Sequence, residues 1–353
     1  MHRSAIPPLI ALRRIFVYDC IGGFNNMIYP EFLHKGSAIG ISAPSAGVGR
    51  KLEDFDRSLS LLKKKGWQIK ETASVRLNDV RGGDAKTRGE ELTSLFKDNE
   101  VDFVMAAAGG DFLNEMLEYV NWNVLKKNPK WLMGASDPTG LLFPYTTLYD
   151  VATIYGANAG SFDIEPLPKY LKNNLEIISG NLIIQKSFSR YMKTPGFLAE
   201  IIEFDTPVRW KSTQGDIHVN GRCIGGCIDV LKDLIGTKFD GAKKFVKKYQ
   251  DDGTIWYFDN FSQSAEVFYR TLVQMKYAGW FDYTKAVIVG RVLFESSETG
   301  MSYEDAVKLA LPDIPVLYQA DVGHTIPSMT MINGALLDLS FEGKKAELNY
   351  SLK

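Results

Sequence analysis

Residues 131–139 read WLMGASDPT, an apolar run that ends in a polar turn. Two similar segments precede it: AIGISAPSAG at 38–47 and FVMAAAGG at 103–110. Apolar runs without polar alternation are typical of strands covered on both faces. Amphipathic segments at 52–62 and 87–98 lie between them and predict helices. Strands that alternate with helices form βαβ units, so residues 27–165 predict an N-terminal α/β domain with a parallel sheet.

The pattern changes after residue 165, where Glu165-Pro166-Leu167-Pro168 interrupts regular structure. We assign residues 166–185 to a linker and residues 186–353 to a smaller, mixed α/β C-terminal domain. Asn220-Gly221 in the segment 216–224 predicts a hairpin with a type I′ turn. Further strands are expected at 254–258, 286–289 and 315–318, with a helix at 264–277. The functional site should lie in the cleft between the two domains.

The first 26 residues differ from the rest of the chain. Their short apolar run is broken by Pro7-Pro8 and followed by Arg13-Arg14, a poor match to a secretory signal. We therefore interpret residues 1–26 as an appendage to a body that begins at Met27.

Composition excludes several classes of function. The 353 residues are 45% hydrophobic and 24% charged, which is typical of a globular protein. The net charge is -1, so nothing favours nucleic acid or an anionic membrane as a partner. Three cysteines do not form a disulfide framework, and this favours a reducing compartment. No apolar stretch approaches the roughly 18 residues that a membrane span needs.

Cofactor and metal sites have weak support. Gly47-Val48-Gly49 opens a helix and Glu71 ends the next strand, as in a dinucleotide site, but Leu52 replaces the third glycine. A helix-start turn without a cofactor is the favoured interpretation. Cys223 and Cys227 lack a second pair of ligands, so structural cysteines are favoured over a zinc site. We expect neither a cofactor nor a metal.

Polar residues at strand ends suggest nucleophilic catalysis. Ser136 follows the strand 131–135, at the carboxyl end where open α/β sheets place their sites. The alternative is that Ser136 or Asp137 only caps a helix. A serine nucleophile needs a base and an orienting acid. His324 follows the strand 315–318 and Asp259 ends the strand 254–258, so both are candidates.

From about residue 27 to the end, the chain resembles the serine LD-carboxypeptidases, which include the microcin C immunity peptidases. Several blocks in the same order carry the resemblance: Ser42-Ala43-Pro44-Ser45, Arg88 within KTRGEEL, Gly109-Gly110, Gly134-Ala135-Ser136-Asp137, GRCIGGC at 221–227 with Gly236-Thr237, and Gly323-His324-Thr325-Ile326-Pro327.

The resemblance implies a role for each matched residue. Ser136 would be the nucleophile and His324 the general base, while backbone N–H groups of Gly110 and Asp137 would form the oxyanion hole. The family has a glutamate where this chain has Asp259. The aspartate would fall about 1.5 Å short along an extended chain, so Asp259→Glu should be tolerated. Glu266 is a less favoured substitute acid.

The activity implied is hydrolysis of an L,D amide bond that releases a terminal D-amino acid from a murein peptide. A peptidase that detoxifies a peptide-nucleotide antibiotic and a degenerate peptide-binding protein remain alternatives. The resemblance further implies a cytoplasmic protein that recycles murein. We expect a homodimer that acts on small peptides.

Overall fold

The computed structural model describes residues 26–196 and 202–353. Residues 1–25 of the predicted appendage lie outside the described residues. The helices are α1 (Leu52–Lys64), α2 (Ala85–Lys97), α3 (Trp122–Lys127), α4 (Thr139–Tyr149), α5 (Lys169–Ile178), α6 (Ile228–Leu234), α7 (Ala242–Lys248), α8 (Ala265–Tyr277) and α9 (Tyr303–Ala310), with short 3-10 helices at Ala73–Arg76, Leu113–Tyr119 and Ala159–Ser161.

The strands form two large sheets and a small ribbon in the described part of the chain. They are β1 (Ala38–Ser42), β2 (Gln68–Glu71), β3 (Phe103–Ala106), β4 (Trp131–Gly134), β5 (Thr153–Tyr155), β6 (Gln185–Lys186), β7 (Arg190–Tyr191), β8 (Thr206–Pro207), β9 (Lys211–Ser212), β10 (Ile217–Cys227), β11 (Thr254–Asp259), β12 (Thr284–Gly290), β13 (Val316–Ala320), β14 (Met331–Asn333), β15 (Leu336–Glu342) and β16 (Lys345–Ser351).

The first sheet has the order β14-β5-β4-β3-β1-β2. Strands β1 to β5 run parallel, and β14 joins β5 antiparallel. Strands β1, β3 and β4 are buried along their whole length, because helices cover both faces. The predicted fold class is confirmed, although β14 comes from the far end of the chain.

The second sheet has the order β6-β16-β15-β10-β11-β12-β13-β9, with a parallel core from β10 to β13. Its eight strands among the described residues exceed the six of the first sheet. The C-terminal domain therefore has the larger of the two sheets.

The predicted hairpin at 216–224 is wrong. Asn220 and Gly221 lie inside the continuous strand β10, where they pair with Asp338 and Leu337 of β15. Pairing with a distant strand therefore overrides the local turn signal. Residues 166–185 are also more than a linker, because they contain the ten-residue helix α5, which buries an apolar face.

The two sheets meet at the carboxyl ends of their parallel strands. The backbone N–H of Cys227, at the end of β10, donates to Oγ1 of Thr139 at the start of α4 (2.9 Å). A Cβ on Gly226 would lie 2.4 Å from Cγ2 of Thr139, so only glycine permits this approach. This contact brings both sets of strand ends to one cleft. In the described ranges, the helices are too short or too polar to cross a membrane.

Candidate active site

Ser136 lies directly after β4 in a strained backbone turn. Its φ is 70°, in the left-handed region that non-glycine residues rarely adopt. The cap position of α4 is occupied by Pro138, and no side chain caps that helix. The structure therefore does not support the alternative that Ser136 or Asp137 caps the helix. Strained residues of this kind cluster at functional sites.

The structure brings Ser136, His324 and Asp259 together. Nε2 of His324 lies 3.0 Å from Oγ of Ser136. On the other side of the ring, Nδ1 lies 2.7 Å from Oδ2 of Asp259. Asp259 is fully buried at the end of β11, whereas the His324 side chain is 18% exposed. A hydroxyl, an imidazole and a carboxylate in this order form the arrangement of a serine hydrolase triad.

The shorter acid reaches the imidazole without a gap, so the expected shortfall of Asp259 is wrong. The histidine loop comes close to β11 instead: the backbone N–H of His324 donates to Oδ1 of Asp259 at 3.1 Å. Gly323 permits this approach, because a Cβ there would lie 2.0 Å from the same oxygen. Its φ of +105° also favours glycine.

Glu266, the less favoured substitute acid, serves another purpose. Its carboxylate accepts hydrogen bonds from Oγ of Ser297 (2.7 Å) and from the backbone N–H of Thr299 (2.9 Å). Those bonds hold the loop before α9 and lower the pKa of Glu266. Asp259 is therefore the carboxylate that faces the imidazole.

The charges around His324 favour its protonated form. Burial lowers the pKa of His324, but the charge and hydrogen bonding of Asp259 act in the opposite direction, together with the charge of Asp229. The net effect raises the pKa above its ordinary value. A base with this environment accepts a proton from a hydroxyl more readily than a free imidazole does.

Asp137 and the Gly109-Gly110 pair lie beside Ser136. Oδ2 of Asp137 accepts a hydrogen bond from the backbone N–H of Leu113 at 3.1 Å, which ties the loop after β3 to the turn that carries Ser136. Burial raises the pKa of Asp137 to about 6, against the lowering effect of that hydrogen bond. A Cβ on Gly109 would lie 3.1 Å from Cβ of Ser136, so a larger residue there would press against the turn that carries Ser136.

Arg88, from the second resemblance block, holds the loops around this corner. Its side chain is fully buried and donates to the carbonyl oxygens of Pro44 (2.6 Å) and Phe112 (3.2 Å). It also pairs with Glu115. The turns after β1 and β3 are thereby joined next to the turn that carries Ser136.

A second buried network, which the sequence did not reveal, holds the histidine loop. Arg291 follows β12 and pairs with the fully buried Asp321 at 2.6 Å. Arg291 also donates to Oγ1 of Thr325 (3.1 Å) and to the carbonyl oxygen of Pro327 (3.3 Å). These bonds reach both sides of His324 and hold its loop against the sheet.

Tyr155 is a further residue that the sequence did not reveal. Its hydroxyl contacts both the backbone of Ser136 and the carboxylate of Asp259. Its position at the end of β5 could have indicated that it lies near Ser136, because β5 runs parallel to β4 and neighbouring parallel strands end at one edge of the sheet.

A cavity of about 1130 Å³ opens beside the triad. His324, Gly109 and residues 164–168 are among the residues that line it. Phe55 of the N-terminal domain and Phe204 of the C-terminal domain also line it, so the cavity lies between the two domains. This volume accommodates a ligand of several residues.

The described residues include one group of potential metal ligands, Cys227, Asp259 and His324, whose ligand atoms lie within 4.8 Å of one another. Nδ1 of His324 already faces the carboxylate and Nε2 faces Ser136. Burial raises the pKa of the Cys227 thiol well above its ordinary value, which opposes the thiolate that a metal needs. The hydroxyl, imidazole and carboxylate are thus arranged for proton transfer.

Two family models match the chain. The LD-carboxypeptidase N-terminal domain matches residues 39–156, and the LD-carboxypeptidase C-terminal domain matches residues 220–339. The chain belongs to the LD-carboxypeptidase family. Ser136 lies in the first matched region, and Asp259 and His324 lie in the second.

Individual relatives agree with this assignment. This chain is 25% identical over 337 residues to the microcin C7 self-immunity protein MccF of Escherichia coli, and the match covers 90% of this chain and 94% of that protein. It is 22% identical to a Bacillus subtilis protein named "Probable murein peptide carboxypeptidase", covering 92% and 95%. The solved structure of wild-type apo MccF superposes with a TM-score of 0.76 at 23% identity, covering 91% and 98%. The fold is therefore that of this family, and the matched family models and the carboxypeptidase-named relative support a peptidase role.

Proposed function

We propose that this protein is a serine carboxypeptidase that cleaves an L,D amide bond and releases a terminal D-amino acid from a murein peptide. The observation that carries the proposal is the alignment of Ser136 Oγ, the imidazole of His324 and the carboxylate of Asp259, at 3.0 Å and 2.7 Å. Ser136 and His324 lie in two of the sequence blocks that carry the resemblance, and Asp259 takes the place of the family's glutamate.

In the proposed mechanism, Oγ of Ser136 attacks the scissile carbonyl carbon while Nε2 of His324 takes its proton. Asp259 holds the imidazole with a proton on Nδ1 and stabilises the imidazolium that forms. His324 then passes the proton to the leaving amine, and water hydrolyses the acyl-enzyme by the same route.

We assign the oxyanion hole to the backbone N–H groups of Gly110 and Asp137. In the described part of the chain, neither N–H has a hydrogen-bond acceptor, so both are available to a substrate oxygen. The Asp137–Leu113 bond and the buried Arg88 hold the loops that carry them. Donors fixed before the reaction stabilise developing charge at little reorganisation cost.

The L,D specificity is supported by the family description, and the murein substrate by the name of the Bacillus subtilis relative. The resemblance implies that the protein would act in the cytoplasm. We also expect a homodimer, which size-exclusion chromatography with light scattering would test. The protein is 22% identical to that relative, so the substrate needs a direct assay.

A second candidate substrate is an aminoacyl nucleotide. MccF has been solved in complex with aspartyl sulfamoyl adenosine and with glutamyl sulfamoyl guanosine. The half-buried Tyr170 and Phe204 line the cavity of this protein, and aromatic rings offer stacking surfaces for a nucleobase. Both substrates use the same triad, so only the pocket separates them.

The deciding experiment compares three substrates and a covalent probe. The substrates are a murein tetrapeptide ending in D-alanine, its isomer ending in L-alanine, and aspartyl sulfamoyl adenosine. A fluorophosphonate probe should label the wild type and the control variant Ser60→Ala, which alters an exposed serine of α1, but not Ser136→Ala. Release of D-alanine alone supports the proposal, and cleavage of the nucleotide alone supports the second candidate. Absence of both hydrolysis and labelling would mean a binding protein.

A further inference from the structure

One hydroxyl group connects the nucleophile turn to the acid. Tyr155, at the end of β5, is 2% exposed. Its Oη accepts a hydrogen bond from the backbone N–H of Ser136 at 3.0 Å, and it donates to Oδ2 of Asp259. The direction of both bonds is fixed, because an amide N–H only donates and an ionised carboxylate only accepts.

The hydroxyl keeps its proton throughout the working pH range. Burial, and then the negative charge of Asp259, raise the pKa of Tyr155 well above its ordinary value. The chain of bonds from Ser136 N–H through Tyr155 to Asp259 therefore has a single arrangement. Buried polar networks that are fully satisfied hold their members in one geometry.

We propose that Tyr155 is a positioning residue that fixes the strained turn of Ser136 and the carboxylate of Asp259 relative to each other. The inference rests on the proposed serine hydrolase function. Ser136 follows β4 of the first sheet, whereas Asp259 ends β11 of the second. A single hydroxyl therefore aligns nucleophile and acid across the domain boundary.

Removing the hydroxyl should affect both partners. In Tyr155→Phe, the backbone N–H of Ser136 loses its acceptor, so the left-handed turn loses one of its supports. Asp259 loses a donor, so its charge acts more strongly on the imidazolium of His324. The acid limb of the activity profile should then move to higher pH, because a nearby negative charge favours the protonated imidazole.

The matched control is Tyr145→Phe. Tyr145 is also fully buried, and its hydroxyl donates one hydrogen bond to the carbonyl oxygen of Leu125 at 3.0 Å. The variant Tyr145→Phe loses that bond. It lies on α4 and contacts none of the three triad side chains through that hydroxyl. A loss seen only in Tyr155→Phe is therefore not a general effect of removing a buried hydroxyl.

The experiment measures hydrolysis of the tetrapeptide and the rate of fluorophosphonate labelling from pH 5 to 9. Tyr155→Phe should lower kcat about 10- to 100-fold, as a misplacement on the order of 1 Å does. KM should stay within about twofold, and the acid limb should shift upward. Tyr145→Phe should match the wild type in kcat and in the pH of the acid limb. Trifluorotyrosine at position 155 is a stronger hydrogen-bond donor of nearly the same shape, so it should shift the acid limb of the activity profile to lower pH. This second variant tests the proposal even if Tyr155→Phe does not fold.

The outcomes separate the two proposals. If the wild type reacts and the Tyr155 variants share its rate and acid limb, the positioning role is wrong while the serine mechanism stands. An equal loss in Tyr155→Phe and Tyr145→Phe would also overturn the positioning role. If the wild type itself does not react with the probe, the proposed function is wrong and the role of Tyr155 falls with it.

Discussion

Lengthening the acid by one methylene should damage the enzyme, although the resemblance alone favours the opposite result. In the structure, the Asp259 carboxylate lies 2.7 Å from Nδ1 and 3.1 Å from the backbone nitrogen of His324. It is fully buried and also contacts the Tyr155 hydroxyl. The additional methylene of Asp259→Glu extends the side chain by about 1.5 Å, roughly one C–C bond. No space remains for that extension.

The size of the effect follows from packing and geometry. Overpacking a filled site costs about 1–3 kcal/mol of stability. Displacing the imidazole by about 1 Å costs on the order of 10²-fold in rate. Asp259→Asn keeps the shape but favours the wrong imidazole tautomer, a change worth about 10⁴-fold in a serine protease. We therefore expect activity in the order wild type, Asp259→Glu, Asp259→Asn.

The assay is D-alanine release from the tetrapeptide, with kcat/KM measured for each variant and circular dichroism used to verify folding. The control is Asp233→Glu, which adds the same methylene to an exposed carboxylate of α6 and should leave kcat/KM unchanged. Wild-type or higher activity in Asp259→Glu would refute the packing argument. Wild-type activity in Asp259→Asn would remove the acid from the mechanism.

Three further predictions concern the same site. Ser136→Ala should lower kcat by on the order of 10⁶-fold in the tetrapeptide assay, as loss of the nucleophile does in a serine protease; turnover within tenfold of wild type would end the assignment. Because His324 acts as a base only when neutral and its pKa is raised, kcat/KM should increase with pH through a midpoint above the 6.5 of a free imidazole; a midpoint below 6.5 would contradict this. The folded pKa of Asp137, about 6, exceeds its unfolded value, so its ionisation removes stability as pH rises from about 4 to 6. In urea denaturation, the free energy of unfolding of Asp137→Asn relative to that of the wild type should therefore increase by up to about 3 kcal/mol between pH 4 and pH 8. If this difference does not change with pH, ionisation of the buried Asp137 costs no stability.

The sequence predicts the parts of the site that depend on strand ends. Asp259 ends β11 and His324 follows β13 of the same sheet, and parallel strands of one sheet end at one edge. The acid and the histidine could therefore be placed together from the sequence, whereas Ser136, which follows β4 of the other sheet, meets them only because the two sheets pack end to end. The strands β1, β3 and β4 can also be predicted from the local sequence, because burial on both faces of the sheet gives each of them an uninterrupted apolar run.

The sequence does not predict features that depend on distant pairing. Asn220-Gly221 has the strongest local signal for a turn, yet β15 pairs with it from more than a hundred residues away. Tyr155 has no motif of its own, and its role appears only when β5 meets the end of β11. Arg291 and Asp321 likewise follow different strands, and only the folded chain brings them to the same loop.

The acid and the histidine loop should be considered together. A carboxylate shorter by one methylene is compatible with a working triad when the loop carrying the base lies closer to the strand carrying the acid. Here Gly323 provides that approach, because any side chain at this position would collide with the Asp259 carboxylate. The aspartate alone is therefore no sign of a degenerate enzyme. A relative with an aspartate at this position but a bulkier residue before its histidine would be a better candidate for lost activity, since its loop could not reach the acid.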